Sequence, residues 1–202
     1  MSVITPSPAF RTKPLGQPIV EIPFASPHLL RALALTGAAP AIAGAIAYNG
    51  GPLIEKVRLY AIFWGSVWTG ANAGSVNDLT SFFDKFVSSS FLDNLGAEYS
   101  AGAYHIGHGS FISPGIVIPT DPPATLTDSQ IQDQLNKCIS EHALTVDGNS
   151  LFAFMFGPNV NVVDPFSGGG SCSGWTGYHW STSEQKYYAV VTQCRDIKKP
   201  HG

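Results

Sequence analysis

Apolar residues in this chain fall into two kinds of run, short continuous stretches and stripes at helical spacing. Val57 to Trp64 (VRLYAIFW) turns from alternating to continuously apolar, which suits a strand buried on both faces, and Gly65 ends it. Leu79, Phe82, Phe83, Phe86 and Val87 stand at i, i+3, i+4, i+7 and i+8. That is one apolar stripe, and it predicts a helix to about Ser89, with N-cap candidates at Ser75 to Asn77 and with Phe91 and Leu92 extending the packing. Tyr104 to Phe111 reads as a strand weakened by two glycines, and Ile116 to Ile118 as a short apolar run between prolines.

Thr127-Asp128-Ser129-Gln130 has the T-x-x-Q form of a capping box. Ile131, Leu135, Cys138 and Ile139 continue it as a second helix ending near Glu141-His142. Leu151 to Phe156 is a fully apolar strand stopped by Gly157-Pro158. A Gly-rich loop runs from Asp164 to Gly174, and Tyr178 to Thr182 and Tyr187 to Val191 read as the arms of a hairpin. Strands alternating with helices predict an α/β layered domain. Its sheet is mainly parallel, with an antiparallel edge strand and two main helices.

No strand or helix period is legible in residues 1–47, which are rich in Pro, then in Ala and Gly. They are expected to be a disordered or loosely attached tail before an α/β domain at 48–194 and a basic C-terminal tail at 195–202. Leu33 to Tyr48 is the longest apolar run, and Pro40 interrupts it. It reads as a small-residue linker. Ala45-Ile46-Ala47 also fits a leader cleavage site, but about 30 Pro-rich residues precede the run, so secretion by that route needs another start codon or an atypical leader. No run reaches the length of a membrane span.

Composition narrows the partners. Charged residues are 12% of the chain, and Lys and Arg number 11 against 14 Asp and Glu. With a pI near 6.0, no broad phosphate-neutralising face is available, so nucleic acid is excluded as the usual kind of partner. Three cysteines leave at least one thiol unpaired. Cys138 sits on the apolar face of its helix and reads as a core thiol, while Cys172 and Cys194 flank the hairpin and are candidates for a disulfide.

Catalytic patterns are weak. His105 and His108, placed in one strand, point to opposite faces and cannot chelate one ion there. His179 lies between Tyr178 and Trp180 and reads as a packed or surface histidine. There is neither an H-E-x-x-H helix nor a G-x-S-x-G elbow. Ser110 and Ser171 are glycine-flanked, without an evident base. Gly168-Gly169-Gly170 does not lead from a strand into a helix, so it is no phosphate loop.

Six segments taken in order carry a resemblance. They are Tyr48-Asn49-Gly50-Gly51-Pro52, Phe63-Trp64-Gly65, Ile106-Gly107-His108-Gly109-Ser110-Phe111, Asp128-Ser129-Gln130-Ile131, the loop from Cys172 to Gly177-Tyr178-His179, and Tyr188-Ala189-Val190-Val191. Together, over residues 48–194, they resemble the exordium-like, phosphate-induced protein group and its bacterial and fungal relatives. The resemblance implies an extracellular or cell-wall protein of unknown ligand, without an established enzymatic activity. Gly51, Trp64, Gly65, His108, Ser110, Phe111, Gly177, Tyr178 and His179 are then family-motif residues of unknown role.

The microbial relatives continue past the Y-A-V-V strand into a helix of the form H-E-L-x-E-A-x-T-D-P, like a degenerate zinc-protease helix, on a metzincin-like topology. Here Val191 is followed by TQCRDIKKPHG. No zinc ligand set can be carried over, so zinc is expected only if a C-terminal helix is missing from this chain. The resemblance thus implies a truncated member, or an incomplete zinc-dependent hydrolase, lacking the final helix. Its last strand would be uncovered, its stability marginal and self-association through that strand expected. The remaining reading is a cytosolic globular protein unrelated to the group.

Overall fold

The computed structural model describes residues 48, 51–163, 168–173 and 175–194. The expected tails at 1–47 and 195–202, and part of the Gly-rich loop, lie outside these residues.

A mostly parallel mixed sheet forms the centre, in the order β2-β1-β5-β8-β7. Strand β1 (Lys56–Trp64) pairs in parallel with β5 (Ser150–Phe156), and β5 pairs in parallel with β8 (Tyr187–Thr192). The other side of β1 is shared. Its first half carries β2 (Gly107–Phe111) and its second half β3 (Ile116–Ile118). Strand β7 (Gly177–Ser181) closes the far edge antiparallel to β8. The long apolar runs thus became the central strands, as burial on both faces demands.

Alternation of side chains assigns the two faces. Tyr60, Ile62 and Trp64 of β1, Phe152, Phe154 and Phe156 of β5, and Tyr188 and Val190 of β8 form one core with Ile131, Leu135 and Cys138 of α3 (Asp128–Glu141). Leu59, Ala61 and Phe63, with Ala153 and Met155, form the other with α1 (Ala73–Val87). The capping box at the start of α3 is formed, with the Thr127 N–H donating to Gln130 Oε1 at 2.9 Å. Two elements of three residues, β4 (Thr125–Thr127) and β6 (Asn161–Val163), make a separate parallel pair.

The structure differs from the sequence expectations in four places. There are three helices rather than two among the described residues, because α2 (Ser90–Tyr99) follows α1 after one intervening pair, Ser88-Ser89. Its Gly96 sits where a Cβ would lie 2.2 Å from the Ile106 carbonyl oxygen, so the missing side chain permits that approach.

Helix α1 starts at Ala73 behind Asn72, earlier than the expected caps, because two short 3-10 turns at Ser66–Trp68 and Gly70–Asn72 feed into it. Its stripe is also only half buried. Val76, Leu79, Phe83 and Val87 face the sheet, whereas Phe82 is 55% and Phe86 36% exposed, stacked on each other along the flank.

Finally, β2 begins at Gly107, so the expected strand from Tyr104 loses its first three residues. Gly109 is demanded by a close approach, since a Cβ there would lie 2.1 Å from the Val57 carbonyl oxygen.

Candidate functional site

The chain leaves β1 toward β2 through α1 and α2, then returns from β3 through α3 to β5 on the opposite side of β1. The order therefore reverses between β1 and β5. In open α/β sheets the loops diverge at such a point and leave a crevice beyond the carboxyl ends of the strands. The structure has two adjoining cavities there, of about 360 and 240 Å³.

The larger is assembled from three strand ends and one helix start. Val67 and Trp68 follow β1, Pro158 follows β5, Gln193 and Cys194 follow β8, and Asn72 and Ser75 belong to the entry into α1. The smaller lies between the segments after β1 and β5 and residues Asp121, Pro122 and Ala124. Val67 and Pro158 border both. The Val67 side chain lies over Gly157, where a Cβ would come within 2.6 Å of Val67 Cγ1, so glycine is what lets this partition form.

Backbone geometry fixes the crevice. Gly65 adopts φ 123°, a conformation that glycine tolerates. The next N–H, that of Ser66, donates to Asp121 Oδ1 at 2.6 Å, and this bond holds the Asp121 carboxyl below its usual range. The Ser66 carbonyl accepts from the Thr69 N–H at 3.0 Å and from Thr69 Oγ1 at 2.7 Å, which closes the turn carrying Trp68. Trp68 is 4% exposed and packs edge-on against Phe63. Its Nε1–H has no hydrogen-bond partner. On the far lip, Cys194 is joined to Cys172 by a disulfide. All residues lining the larger cavity are neutral at physiological pH, so they can bind through contacts and hydrogen bonds but offer no group suited to proton transfer there.

A second polar cluster lies between α3 and the β7–β8 pair. Asp128 is 8% exposed, and its Oδ1 accepts from the hydroxyls of Tyr178 and Tyr188, each at 2.6 Å. Its Oδ2 accepts from Gln132 Nε2 at 2.7 Å. Burial, reinforced by the hydrogen bond to Asp128, pushes the Tyr188 hydroxyl far above its usual value.

The sign of the pH effect follows. Below about pH 10 the phenol is neutral folded and unfolded alike, and its contribution to stability is fully present. Above that pH only the unfolded chain releases the proton, so stability falls by about 1.4 kcal/mol per pH unit for this group. Denaturant titrations of Tyr188→Phe between pH 9 and 11 should show a smaller alkaline loss than the wild type, by about 1.4 kcal/mol over that whole span; equal losses would remove Tyr188 as the source.

No protein-family model, curated protein or solved structure matches this chain.

The residues singled out in the sequence divide among four places. Trp64 and Gly65 line the smaller cavity and Cys194 the larger, with Cys172 bonded behind it. Tyr178 belongs to the Asp128 cluster, and Gly177 opens β7 where a Cβ would lie 2.7 Å from the Val190 carbonyl oxygen. His108, Ser110 and Phe111 are on β2. There His108 Nε2 meets Asp93 Oδ1 of α2 at 2.9 Å, Ser110 is exposed, and Phe111 packs on Phe83. Gly51 accepts a hydrogen bond from the Tyr48 hydroxyl.

His179 is exposed on β7, at the opposite edge of the sheet from β2. Four strand spacings, about 19 Å, separate those edges, so His108 and His179 do not converge. His105 precedes β2 rather than alternating within it, and its N–H donates to Glu55 Oε1 at 2.8 Å. Ser171 Oγ is used structurally, accepting from the Val162 N–H at 3.0 Å. Sequence reasoning missed Trp68, Asn72, Ser75 and Gln193. The available signal was indirect, in the glycines that end β1 and β5 and so mark where the crevice begins.

Proposed function

We propose that this chain is an extracellular, non-catalytic binding protein of the exordium-like type, which holds a small ligand in the crevice at the carboxyl ends of β1, β5 and β8. The observation that carries this reading is the position and neutrality of the larger cavity. It stands at the reversal of strand order, and its lining offers hydrogen bonds and apolar contact. The Cys172–Cys194 disulfide supports an oxidising compartment. An antiparallel edge strand beside the last parallel strand supports the metzincin-like element of the proposal. Val191, 41% exposed on β8, is the apolar position on which self-association through that strand rests.

Thiol mapping on chain recovered from its natural source tests the compartment. The expected result is chain in the extracellular fraction, with only Cys138 alkylated after denaturation without reductant and all three cysteines alkylated after reduction. Chain confined to the cytosol with three free thiols would overturn it. Metal analysis of the same material should find no stoichiometric zinc; zinc retained through dialysis would favour a hydrolase instead.

A further inference from the structure

We propose that α1 is the contact of a symmetric dimer, in which a second copy of the chain lays its own α1 antiparallel across the exposed rings of Phe82 and Phe86. This surface is apart from the crevice, and the inference does not depend on what the crevice holds. It starts from a run of unburied aromatic rings. Phe82 is 55% exposed, Phe86 36% and Phe91, at the start of α2, 50%. Phe82 stacks on Phe86 at 5.5 Å and Phe86 packs on Phe91 at 5.2 Å, so the three form one continuous patch. Single exposed rings are ordinary on a surface, whereas a contiguous apolar patch marks a contact site.

Helical spacing sets the geometry. Leu79, Phe82 and Phe86 stand at i, i+3 and i+7, the a, d, a spacing of a helix–helix seam. Leu79 is already half-buried against the sheet, which leaves Phe82 and Phe86 as the open part of that seam.

The charges beside the rings identify the occupant. Asp78 stands one turn before Phe82 and Lys85 one turn after it. Both are exposed, and neither is ion-paired among the described residues. One heptad separates them, so they lie on the same flank of the seam. At 1.5 Å per residue, Asp78 lies about 6 Å toward the helix start from Phe82, and Lys85 about 4.5 Å toward its end.

When two α1 helices meet antiparallel, with Phe82 against Phe82 at the twofold axis, Asp78 of each copy comes level with Lys85 of the other on one flank. The patch is therefore complementary to itself, as an isologous contact requires. An anionic bilayer would attract Lys85 and repel Asp78, so the same rim gives lipid no such match. Three half-exposed rings present about 300 Å² per copy. That is below a standard interface, so the dimer is reversible and concentration-dependent.

Sedimentation equilibrium of the full chain tests this. Carrying Val191→Ser throughout removes the exposed apolar position of β8 and isolates the α1 contact. This chain should dimerise reversibly. Phe82→Gln puts a good helix former at an exposed position, so it should fold normally and weaken the dimer at least tenfold. Asp78→Lys alone and Lys85→Glu alone each bring like charges face to face, and each should weaken it about fivefold. The double variant exchanges the signs and should restore the original affinity, which a role in packing alone would not produce.

A chain that stays monomeric up to about 1 mM would overturn the proposal. In that event, binding to phosphatidylcholine vesicles that is lost in Phe82→Gln would assign the patch to lipid. A dimer undiminished in folded Phe82→Gln would place the contact elsewhere and overturn it as well. Single charge changes without effect, or a double variant no better than the singles, would overturn the antiparallel pairing.

Discussion

Replacing Asp128 by alanine should lower the unfolding free energy by about 3–5 kcal/mol, as read from urea unfolding followed by tyrosine and tryptophan fluorescence. Alanine keeps the α3 backbone but removes three acceptor contacts at once, from Tyr178 and Tyr188 at 2.6 Å and from Gln132 at 2.7 Å. Each hydrogen bond to a charged group contributes about 1.5–3 kcal/mol, and a stranded buried donor costs about 1–3 kcal/mol. The three losses do not simply add. Tyr178 and Gln132 are only partly buried and can turn to water, whereas Tyr188 is fully buried and keeps only the 3.2 Å contact with Gln132.

Asp128 is also the first residue of α3, where the helix dipole stabilises a negative charge by about 0.3–1 kcal/mol. Asp128→Asn retains one carbonyl acceptor and should lose about half as much. An alanine variant within 1 kcal/mol of the wild type, by the same rough scale, would mean that the apolar contacts of α3, through Ile131, Leu135 and Cys138, hold the layers together unaided.

This cluster shows why a site is harder to read from a sequence than a layer. Asp128 announced itself only as the start of a helix, inside a capping box. Its partners lie 50 and 60 residues downstream, on strands whose own pattern predicts burial and nothing about hydroxyl direction. The central strands β1, β5 and β8 were legible because long apolar runs have few alternatives, and α3 because its cap and stripe agree.

Helix α2 was not legible. Of its residues only Leu92 is buried, and Asp93, Asn94 and Gly96 are weak helix formers. Strands β4 and β6, three residues each, are too short to show a period. The α1 stripe was legible as a helix and not as a burial pattern, because five apolar positions span a wider arc than the sheet covers. The crevice was least legible. Its walls come from residues 67–75, 158 and 193–194, and Trp68 reads as an ordinary core aromatic until its unpaired N–H is seen in place.

Removing the Cys172–Cys194 bond, by reduction or by paired alanine substitution, should cost about 3 kcal/mol of unfolding free energy. The bond joins cysteines 22 positions apart. Loop-closure entropy for a ring of that size gives about this figure at 25 °C, because the cross-link acts mainly on the unfolded chain. The closed segment contains β7 and β8, and so ties the antiparallel edge to the end of the last parallel strand.

Local consequences add to this. Thr192, the last residue of β8, donates its hydroxyl to the Thr176 carbonyl at 3.0 Å, and Gln193 continues the ladder to the Phe156 carbonyl at 3.0 Å. Both sit beside the crevice, so loss of the bond should loosen its β8 lip before the core. Cys138 supplies the internal control. It is 1% exposed, and burial pushes its thiol up, so it should resist alkylation while the fold stands. Under reductant, Cys172 and Cys194 should therefore label first and Cys138 only on unfolding. Labelling of all three together would show that the sheet does not survive opening of the disulfide, making the bond a condition of the fold rather than an increment to it.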